Sequence, residues 1–263
     1  MSAFVLITGA TSGIGLETAR VFLRQGNNVF ITGLKEAEVI QTLYLLKNEF
    51  PHSIIDGISI DLSVNGSAGQ LYHFTNQKGM EVDLLVNNAG FGSYGNVVDT
   101  DVEREWSMIN LMVSNMYMLT RYYLKDMVNR NRGTIVNISS VSAFQPNPTL
   151  AAYGACKAFV YQFSRALNEE LKALNSRVRC ITICPTPVRT SFQQTAGMEK
   201  SSLFDSWMTV EAPFVAKEIY NAVSAGKDYI IPGKLFHWVS KISRRLPERI
   251  LIKIARQHLK PVN

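Results

Sequence analysis

The chain has 263 residues, of which 46% are hydrophobic and 18% charged, with 17 glycines. Intrinsic disorder would require far fewer apolar residues, and collagen far more glycine, so both classes are excluded. The length fits one large globular domain, or one domain with an appendage.

The net charge of +6 is concentrated at the C-terminal end. Residues after Gly233 include eight Lys or Arg and one Glu, a local charge of +7, so the first 232 residues carry a net charge of −1. A basic surface on the main domain, which nucleic-acid binding would need, is therefore not expected. We predict a main domain over 1–232, a basic extension over 233–263 and no nucleic-acid partner.

The sequence shows no export signal, membrane span or metal motif. No uninterrupted apolar stretch approaches the roughly 18 residues that cross a bilayer, and residues 3–7 run directly into Thr8-Gly9. The 3 Cys cannot form a disulfide framework, and the 4 His are scattered without metal-ligand spacing. We therefore expect a cytoplasmic protein without a metal site.

Short β-branched runs alternate with helix-like segments along most of the chain. The near-continuous apolarity of these runs is typical of parallel strands that helices cover on both faces. This pattern predicts an α/β fold with a doubly wound, Rossmann-type sheet. The seven predicted strands are Phe4 to Thr8, Val29 to Thr32, Ile54 to Ile60, Val82 to Val86, Thr134 to Ile138, Val178 to Ile183 and Tyr229 to Ile231.

A glycine-rich turn follows the first strand, with Gly9, Gly13 and Gly15 ahead of a helical pattern. Glycines at such a turn let a pyrophosphate approach the backbone, and the N-terminus of the next helix offers N–H groups to the anion. The alternative is a strand-to-helix turn without a ligand.

The end of the second strand bears on the choice of dinucleotide. Sites that prefer NAD place an acidic residue there to bind the ribose 2′-hydroxyl, whereas this chain reads Gly33-Leu34-Lys35. Lys35 is able to pair with a 2′-phosphate, so we predict that NADP(H) is preferred over NAD(H). The alternative is a solvated Lys35 at the start of the next helix.

Tyr153 and Lys157 are four residues apart, and therefore lie on one face of a predicted helix. Ser140 follows the strand Thr134 to Ile138, which brings all three to the carboxyl edge of the sheet. A neighbouring cation favours the phenolate, so we expect Lys157 to lower the pKa of Tyr153. Such a tyrosine suits proton exchange with an alcohol or carbonyl oxygen during hydride transfer.

Together these motifs resemble the short-chain dehydrogenase/reductase family. The resemblance covers about residues 3 to 232, with its motifs in the family's order and spacing. It implies an NAD(P)-dependent oxidoreductase that interconverts a carbonyl and a secondary alcohol. The segments that carry it are Thr8 to Gly15, Asn87 to Gly90, Asn110, Ser140 and the Tyr153–Lys157 pair.

The resemblance also implies roles on the nucleotide side. Asp61 would meet the adenine, with a turn or cap as the alternative role. Asn87, Ala89 and Gly90 would lie against the adenine-side ribose. The cofactor phosphates would be bound by the turn residues Gly9, Thr11, Ser12, Gly13, Ile14 and Gly15.

For the reaction itself, the resemblance makes Tyr153 the acid/base and Ser140 the donor that orients the carbonyl. Lys157 would also hold the nicotinamide ribose, and Asn110 would fix a water in a proton relay unless it merely bends a helix.

One motif departs from the family. The resemblance implies that Pro185, Val188 and Thr190 line the nicotinamide, but Thr186 stands where glycine is usual. If that position requires a positive φ, Thr186 is strained or the loop runs differently.

A substrate loop is expected over about 189–210, which is rich in apolar side chains: Phe192, Met198, Leu203, Phe204, Trp207 and Met208. With Phe91 and Phe144 beside them, these residues predict a lipophilic substrate, such as an apolar ketone or fatty-acyl carbonyl. Simple packing between helices is an equally good interpretation.

The basic extension has helical apolar periodicity before and after Pro247. One interpretation is peripheral membrane contact through 234–260. We favour the other, packing of its apolar stripe on the core or on a second subunit. The apolar positions are Leu235, Trp238, Val239, Ile242 and Leu246, then Ile250, Leu251, Ile254 and Ala255.

The sequence thus favours an NADP(H)-dependent oxidoreductase acting on a small-molecule carbonyl or alcohol. Association as a homodimer or homotetramer is expected from the resemblance. A non-catalytic dinucleotide sensor of the same fold is the alternative, which the presence of Ser140, Tyr153 and Lys157 disfavours. Serine hydrolysis is disfavoured because no GxSxG motif occurs.

Overall fold

The computed structural model describes residues 3–198, 201, 204, 208–233, 236 and 247–259. Its main feature is a seven-stranded sheet in which every pairing is parallel, in the order β3-β2-β1-β4-β5-β6-β9. A second, two-stranded sheet pairs β7 with β8. The strands are β1 (Ala3–Ile7), β2 (Asn28–Gly33), β3 (Ile55–Ser59), β4 (Glu81–Asn87), β5 (Thr134–Ile138), β6 (Arg179–Ile183), β7 (Val188–Arg189), β8 (Val210–Glu211) and β9 (Tyr229–Ile230).

Helices cover both faces of the large sheet because its strands are apolar on both sides. In β1, Val5 and Ile7 join one buried cluster and Phe4 and Leu6 the other. The helices are α1 (Gly13–Arg24), α2 (Glu36–Glu49), α3 (Ser67–Gln77), α4 (Val102–Ile109), α5 (Met116–Asn129), α6 (Ala151–Ala173), α7 (Phe192–Thr195), α8 (Ala212–Ser224) and the C-terminal helix Glu248–His258.

The fold prediction is confirmed: all seven predicted strands of the large sheet are present, with ends that differ by at most one residue. The predicted apolar positions from Leu235 to Leu246, together with Leu203 and Trp207, lie outside the described residues. Within the part that is described, no helix has both the length and the apolarity that a membrane span requires.

Strand order places the candidate site. The order reverses between β1 and β4, and a crevice opens at the carboxyl ends of strands at such a switch point. Backbone bonds continue the sheet beyond these ends, from Thr8 N–H to the Val86 oxygen (3.0 Å) and from Ser139 N–H to the Ile183 oxygen (2.7 Å). The loops that follow β1, β4, β5 and β6 therefore start from one rigid edge.

Helices α4 and α5 are joined by a π-helical segment, Asn110–Asn115. Such wide turns are rare and occur mostly at functional sites. Asn110, which the sequence analysis singled out, begins this segment.

Candidate active site

The glycine turn after β1 is closed by tight packing of backbone on backbone. Gly9 has a φ of +63°, and a Cβ there would lie 2.8 Å from the Ala89 Cα. A Cβ on Gly15 would lie 2.6 Å from the Asn88 Nδ2 and would also overlap the Gly9 carbonyl oxygen. Only glycine fits either position, so the turn leaves its face toward the crevice free for an anion at the N-terminus of α1.

The loop after β4 is held against this turn by Asn88. Its Nδ2 donates to the carbonyl oxygens of Thr8 (2.9 Å) and Gly9 (3.0 Å), while the backbone N–H groups of Asn88 and Ala89 donate to the Thr8 hydroxyl (3.0 Å each). The sequence analysis included Asn88 only as part of a motif. Its amide is the link between the two loops that border the predicted nucleotide site.

A line of buried polar side chains crosses the sheet beneath this edge. Asn87 Nδ2 donates to the Asn137 Oδ1 (2.8 Å) and to the Thr120 hydroxyl (3.1 Å), and Asn137 Nδ2 donates to the Ser164 hydroxyl (2.8 Å). This network connects β4, β5, α5 and α6. Asn87 therefore positions the sheet edge in this structure, and its Oδ1 is a buried atom without a hydrogen-bond partner.

At the end of β2, the structure brings the predicted 2′-phosphate residue close to the phosphate turn. A Cβ on Gly33 would overlap the Thr11 side chain and would lie 2.8 Å from Val39 Cγ2, so Thr11 closes this end of the turn. Lys35 lies just before α2, is exposed, and pairs with Glu38 at 3.0 Å. Its ammonium is therefore accessible, with a competing carboxylate nearby.

Asp61 lies beyond the end of β3 and is exposed. Its Oδ1 accepts hydrogen bonds from the Ser63 backbone N–H (2.8 Å) and the Ser63 hydroxyl (2.6 Å). In this structure the carboxylate caps a turn, which was the alternative role predicted for it.

Ser140, Tyr153 and Lys157 are brought together by two bonds between β5 and α6. The Ser139 hydroxyl donates to the Lys157 carbonyl oxygen (2.7 Å), and Lys157 Nζ donates to the Ile138 carbonyl oxygen (2.9 Å). These bonds fix the end of β5 against the first turns of α6. The Ser140 and Tyr153 side chains are hydrogen-bonded to each other as a result.

The surroundings of Tyr153 differ from the expected electrostatic pattern. The ring lies between two apolar clusters, with Phe192 at 5.3 Å between ring centroids, and burial raises the pKa of Tyr153 to about 12 although the Ser140 hydrogen bond acts in the opposite direction. Lys157 Nζ is 5.7 Å from the ring centroid and is bonded to a carbonyl instead. The Tyr153 phenol is thus held in its protonated form, and the expected lowering of its pKa is not present.

Lys157 is itself strongly affected by burial. Its side chain is buried beneath the site, and desolvation lowers the pKa of Lys157 to about 8. No carboxylate contributes to this shift. A buried ammonium attracts negative charge, so Lys157 favours an anion or a hydroxyl oxygen beside it.

Asn110 lies at the start of the π-helical segment, and its carbonyl oxygen accepts a hydrogen bond from Asn115 Nδ2 at 3.3 Å. Close by, a cavity of about 10 Å³ is lined by polar groups that include Asn87, Asn115 and Lys157. That volume holds about one water molecule. Asn110 is not among the residues that line this cavity, so its role in a water relay stays a prediction.

The loop after β6 excludes one of the two alternatives for Thr186, namely backbone strain. Positive φ values outside glycine occur, within the described residues, at Asn131, Thr149 and Asn175. Thr186 is therefore not strained in the way the missing glycine suggested. It is buried, and its hydroxyl has no hydrogen-bond partner.

Further along the same loop, Pro185 and Val188 are buried and Thr190 is partly buried. Thr190 approaches the phosphate turn, since its Cγ2 would lie 3.0 Å from a Cβ on Gly13. The Ser12 and Ser191 hydroxyls are 3.4 Å apart. The loop and the turn are thus in direct contact beside the predicted pyrophosphate position.

An apolar cluster covers Tyr153. The side chains of Tyr94, Tyr153 and Phe192 pack against this cluster. Phe91 belongs to the second cluster beside Tyr153, whereas Phe144 packs elsewhere, with its ring 5.2 Å from that of Tyr161. We call the first cluster the cover cluster; its buried members are Leu150, Ala196, Met198, Phe204 and Leu259.

Sequence reasoning missed two residues that hold this cover in place. Arg104 of α4 donates to the Gly92 carbonyl oxygen (3.1 Å) and to the Thr195 carbonyl oxygen, so it ties α7 to the loop after β4. The Tyr94 hydroxyl donates to the Leu259 carbonyl oxygen. Neither had a local signal, because the partners are 91 and 165 residues away along the chain.

Comparisons with known proteins agree with this geometry. A model of the short chain dehydrogenase family matches residues 3–201. The chain is 30% identical over 216 residues to the uncharacterized oxidoreductase YvrD of Bacillus subtilis, covering 80% of each protein. It is 30% identical over 230 residues to the serine 3-dehydrogenase of Agrobacterium fabrum, covering 86% of this chain and 90% of that one.

The fold is also shared with solved structures. A short-chain dehydrogenase from Sphingobium yanoikuyae in complex with NADPH superposes with a TM-score of 0.81 at 24% identity, covering 93% of this chain and 94% of that one. With the family model spanning most of the large sheet and the site, the chain belongs to the short-chain dehydrogenase/reductase family of NAD(P)-dependent oxidoreductases.

Proposed function

We propose that this protein is an NADP(H)-dependent reductase of lipophilic carbonyl compounds, in which Tyr153 is the proton donor. The observation that carries the proposal is the assembly of Ser140, Tyr153 and Lys157 at the crevice beside the glycine turn. Carbonyl reduction adds a hydride to the carbon and a proton to the oxygen. The three residues would supply the proton, a hydrogen bond and a positive charge at the oxygen.

Tyr153 is protonated at neutral pH, as a tyrosine with the ordinary pKa of about 10 already is, and burial raises its pKa further to about 12. It is therefore ready to donate its phenolic proton to a carbonyl oxygen that becomes an alkoxide. Ser140 would donate a second hydrogen bond to the same oxygen. The positive charge of Lys157, 5.7 Å from the tyrosine ring centroid, would stabilise the phenolate left after the transfer.

The site fits a dinucleotide by its shape. The tight turn at Gly9 and Gly15 leads into the N-terminus of α1, whose N–H groups would bind the phosphate groups, and Ser12, Thr190 and Ser191 would add hydroxyls. Lys157 would hold the nicotinamide ribose. When bound, the reduced nicotinamide supplies the hydride.

The preference for NADP(H) rests on the end of β2, where Gly33-Leu34-Lys35 carries no acidic residue to bind a ribose 2′-hydroxyl. Lys35 is exposed and available for a 2′-phosphate. Titration of the protein with NADPH and with NADH tests this directly. We expect tighter binding of NADPH, and equal dissociation constants would contradict the preference.

The proposed lipophilic substrate rests on the cover cluster. The hydrophobic side chains of this cluster, against which Tyr153 packs, favour an apolar ketone over a polyhydroxylated one. A panel of ketones and sugars, monitored by loss of NADPH absorbance, measures this choice. Exclusive turnover of small polar sugars would contradict it.

Association of subunits is proposed through α5 and α6. Tyr117 and Phe159 are more than a third exposed although both pack on Phe163, with ring centroids 5.3 and 5.8 Å from it. Such an exposed aromatic group is typical of a surface that a second subunit covers. Light scattering on the purified protein tests for the homodimer or homotetramer.

The decisive experiment is Tyr153→Phe. We expect a loss of carbonyl reduction of at least 100-fold with the NADPH dissociation constant unchanged within about twofold, since the phenolic proton takes part in the reaction and the ring is retained. Ile254→Ala, on an exposed face of the C-terminal helix, is the control. Function that survives Tyr153→Phe would instead favour a dinucleotide sensor.

A further inference from the structure

The C-terminal helix reaches the candidate active site. Leu259, the residue after this helix, is only 5% exposed and belongs to the cover cluster, against which Tyr153 and Phe192 pack. The family model ends at residue 201, so this part of the cover comes from a region that the family's shared sequence pattern does not describe.

Two backbone hydrogen bonds fix the position of Leu259. Its carbonyl oxygen accepts from the Tyr94 hydroxyl, and its N–H donates to the Ala255 carbonyl oxygen at 3.0 Å. Tyr94 packs on the same cover cluster. The end of the helix is therefore held from the side of the crevice by a residue of the loop that follows β4.

The pattern of buried and exposed side chains on the C-terminal helix also places Leu259 at the candidate active site. Ala255 and Leu259, four residues apart, are both buried, whereas Ile250 and Ile254 are 45% and 44% exposed. An amphipathic helix that packs on the nearest surface would bury its largest apolar side chains. This helix leaves two isoleucines nearly half exposed and buries Leu259 in the cover cluster.

From these contacts we propose that Leu259 is a specificity-determining residue, which forms a wall of the substrate pocket and limits the size of one apolar substituent of the carbonyl substrate. The proposal rests on the function proposed above. A carbonyl carbon whose oxygen meets the Tyr153 hydroxyl must direct its substituents toward the side chains packed around that residue. The buried ones on this side are those of the cover cluster, Leu259 included.

The size of the expected effect follows from pocket chemistry. One methylene in an apolar pocket changes kcat/KM by about 10- to 200-fold between substrates. Shortening Leu259 to alanine removes three carbons and opens space for a longer alkyl group. The kcat/KM of bulkier substrates should therefore rise relative to that of smaller ones.

The test compares acetophenone with butyrophenone, which differ only by two methylenes in the alkyl chain, using NADPH and the full chain. We expect Leu259→Ala to raise the ratio of kcat/KM for butyrophenone over acetophenone about tenfold or more. Leu259→Phe, which fills the same space, should lower the ratio. Ile254→Ala, exposed on the same helix, should leave it unchanged, and all variants should bind NADPH as the wild type does.

A second readout does not require turnover. Ligand-observed NMR on the complex with NADP⁺ gives the dissociation constants of both ketones, and their ratio should shift in the same direction as the kinetic one. Leu259→Phe keeps the test valid if Leu259→Ala fails to fold.

The outcomes separate the two proposals. If the wild type reduces both ketones, and Leu259→Ala and Leu259→Phe show the same ratio of kcat/KM as the wild type, the role of Leu259 is overturned. The proposed function would then remain in place. A wild-type protein that binds NADPH but neither reduces nor binds either ketone would contradict the lipophilic carbonyl substrate, and the role of Leu259 with it.

Discussion

The nucleotide side and the substrate side of this site are built in different ways. On the nucleotide side, backbone meets backbone: Gly9 packs on Ala89, and Asn88 bonds the carbonyl oxygens of the turn. On the substrate side, apolar side chains from four distant segments meet around Tyr153, and they include Met198 and Leu259.

This difference determines which amino-acid substitutions each half of the site tolerates. A backbone contact admits one residue type, because any added atom overlaps a main-chain atom. Apolar side chains of similar volume replace one another at small cost, provided that the cluster remains filled. The first half is therefore constrained by geometry, and the second by volume. Four substitutions, ranked by their expected effect on the free energy of unfolding, would break or sharpen this contrast.

The largest effect is expected for Gly15→Ala. Its Cβ would lie 2.6 Å from Asn88 Nδ2 and would also overlap the Gly9 carbonyl oxygen, so the turn and the loop after β4 must separate. We expect a loss of about 3 kcal/mol or more in a urea denaturation experiment, together with loss of NADPH binding.

Gly26→Ala is the matched control for that substitution. Gly26 has a φ of +79° but no heavy atom within 4 Å of an added Cβ, so only backbone strain of about 1 kcal/mol is expected. Equal losses in the two variants would show that the close contact at Gly15 is unimportant.

The next effect has the opposite sign. Burial of the Lys157 ammonium, whose pKa falls from 10.5 to about 8, costs about 3 kcal/mol at neutral pH. Lys157→Met removes this cost but leaves the Ile138 carbonyl oxygen without its donor. We expect the variant to be more stable by about 1–2 kcal/mol at pH 7, and inactive.

The pH dependence checks the same assignment. Between pH 8 and 10.5 the unfolded chain binds the proton that folded Lys157 has released, so this residue makes unfolding less favourable as pH rises across that window. The stability advantage of Lys157→Met over wild type should therefore fall by about 2 kcal/mol from pH 8 to 10 and reverse its sign. A constant difference would mean that Lys157 titrates normally.

A smaller effect is expected for Met198→Leu in the cover cluster. The two side chains have similar volumes, so the loss of stability should stay near 1 kcal/mol, while the preference among ketones changes and the affinity for NADPH does not. A loss as large as that of Gly15→Ala would show that the substrate side is as rigidly specified as the nucleotide side.

The smallest change in stability is expected for Lys35→Ala. The Lys35 side chain is 71% exposed and its ion pair with Glu38 is solvent-screened, so the free energy of unfolding should change by less than about 0.5 kcal/mol. The dissociation constant of NADPH should nevertheless rise about tenfold, with that of NADH unchanged, because a charged contact to the 2′-phosphate is lost. An equal effect on both cofactors would remove Lys35 from the 2′-phosphate site.

Much of the nucleotide side was predictable from sequence because its constraints are local. Gly9, Gly13 and Gly15 lie within seven residues, and strand order then brings Asn87 to Gly90 beside them. The Tyr153–Lys157 pair was recognisable by helical spacing for the same reason. The strand ends followed from apolar runs bounded by polar or turn residues.

The rest depended on distance and burial, which no local pattern records. Leu259 is an ordinary leucine in a basic amphipathic segment, and only the folded chain shows that it meets Tyr94. The raised pKa of Tyr153 and the lowered pKa of Lys157 both arise from desolvation by residues far apart in sequence. Thr186 seemed out of place by its residue type, but its backbone conformation is ordinary.

The amide chain from Asn87 through Asn137 to Ser164 has a consequence for experiment. Its hydrogen-bonded NH₂ groups are enclosed at the centre of the sheet, where solvent arrives only when strands β4 and β5 separate. Their protons should therefore exchange with deuterium at the rate of global unfolding and give resolved NMR resonances long after surface amides have disappeared. The exchange rates of the Asn87 and Asn137 side-chain amides thus measure how cooperatively the whole domain unfolds.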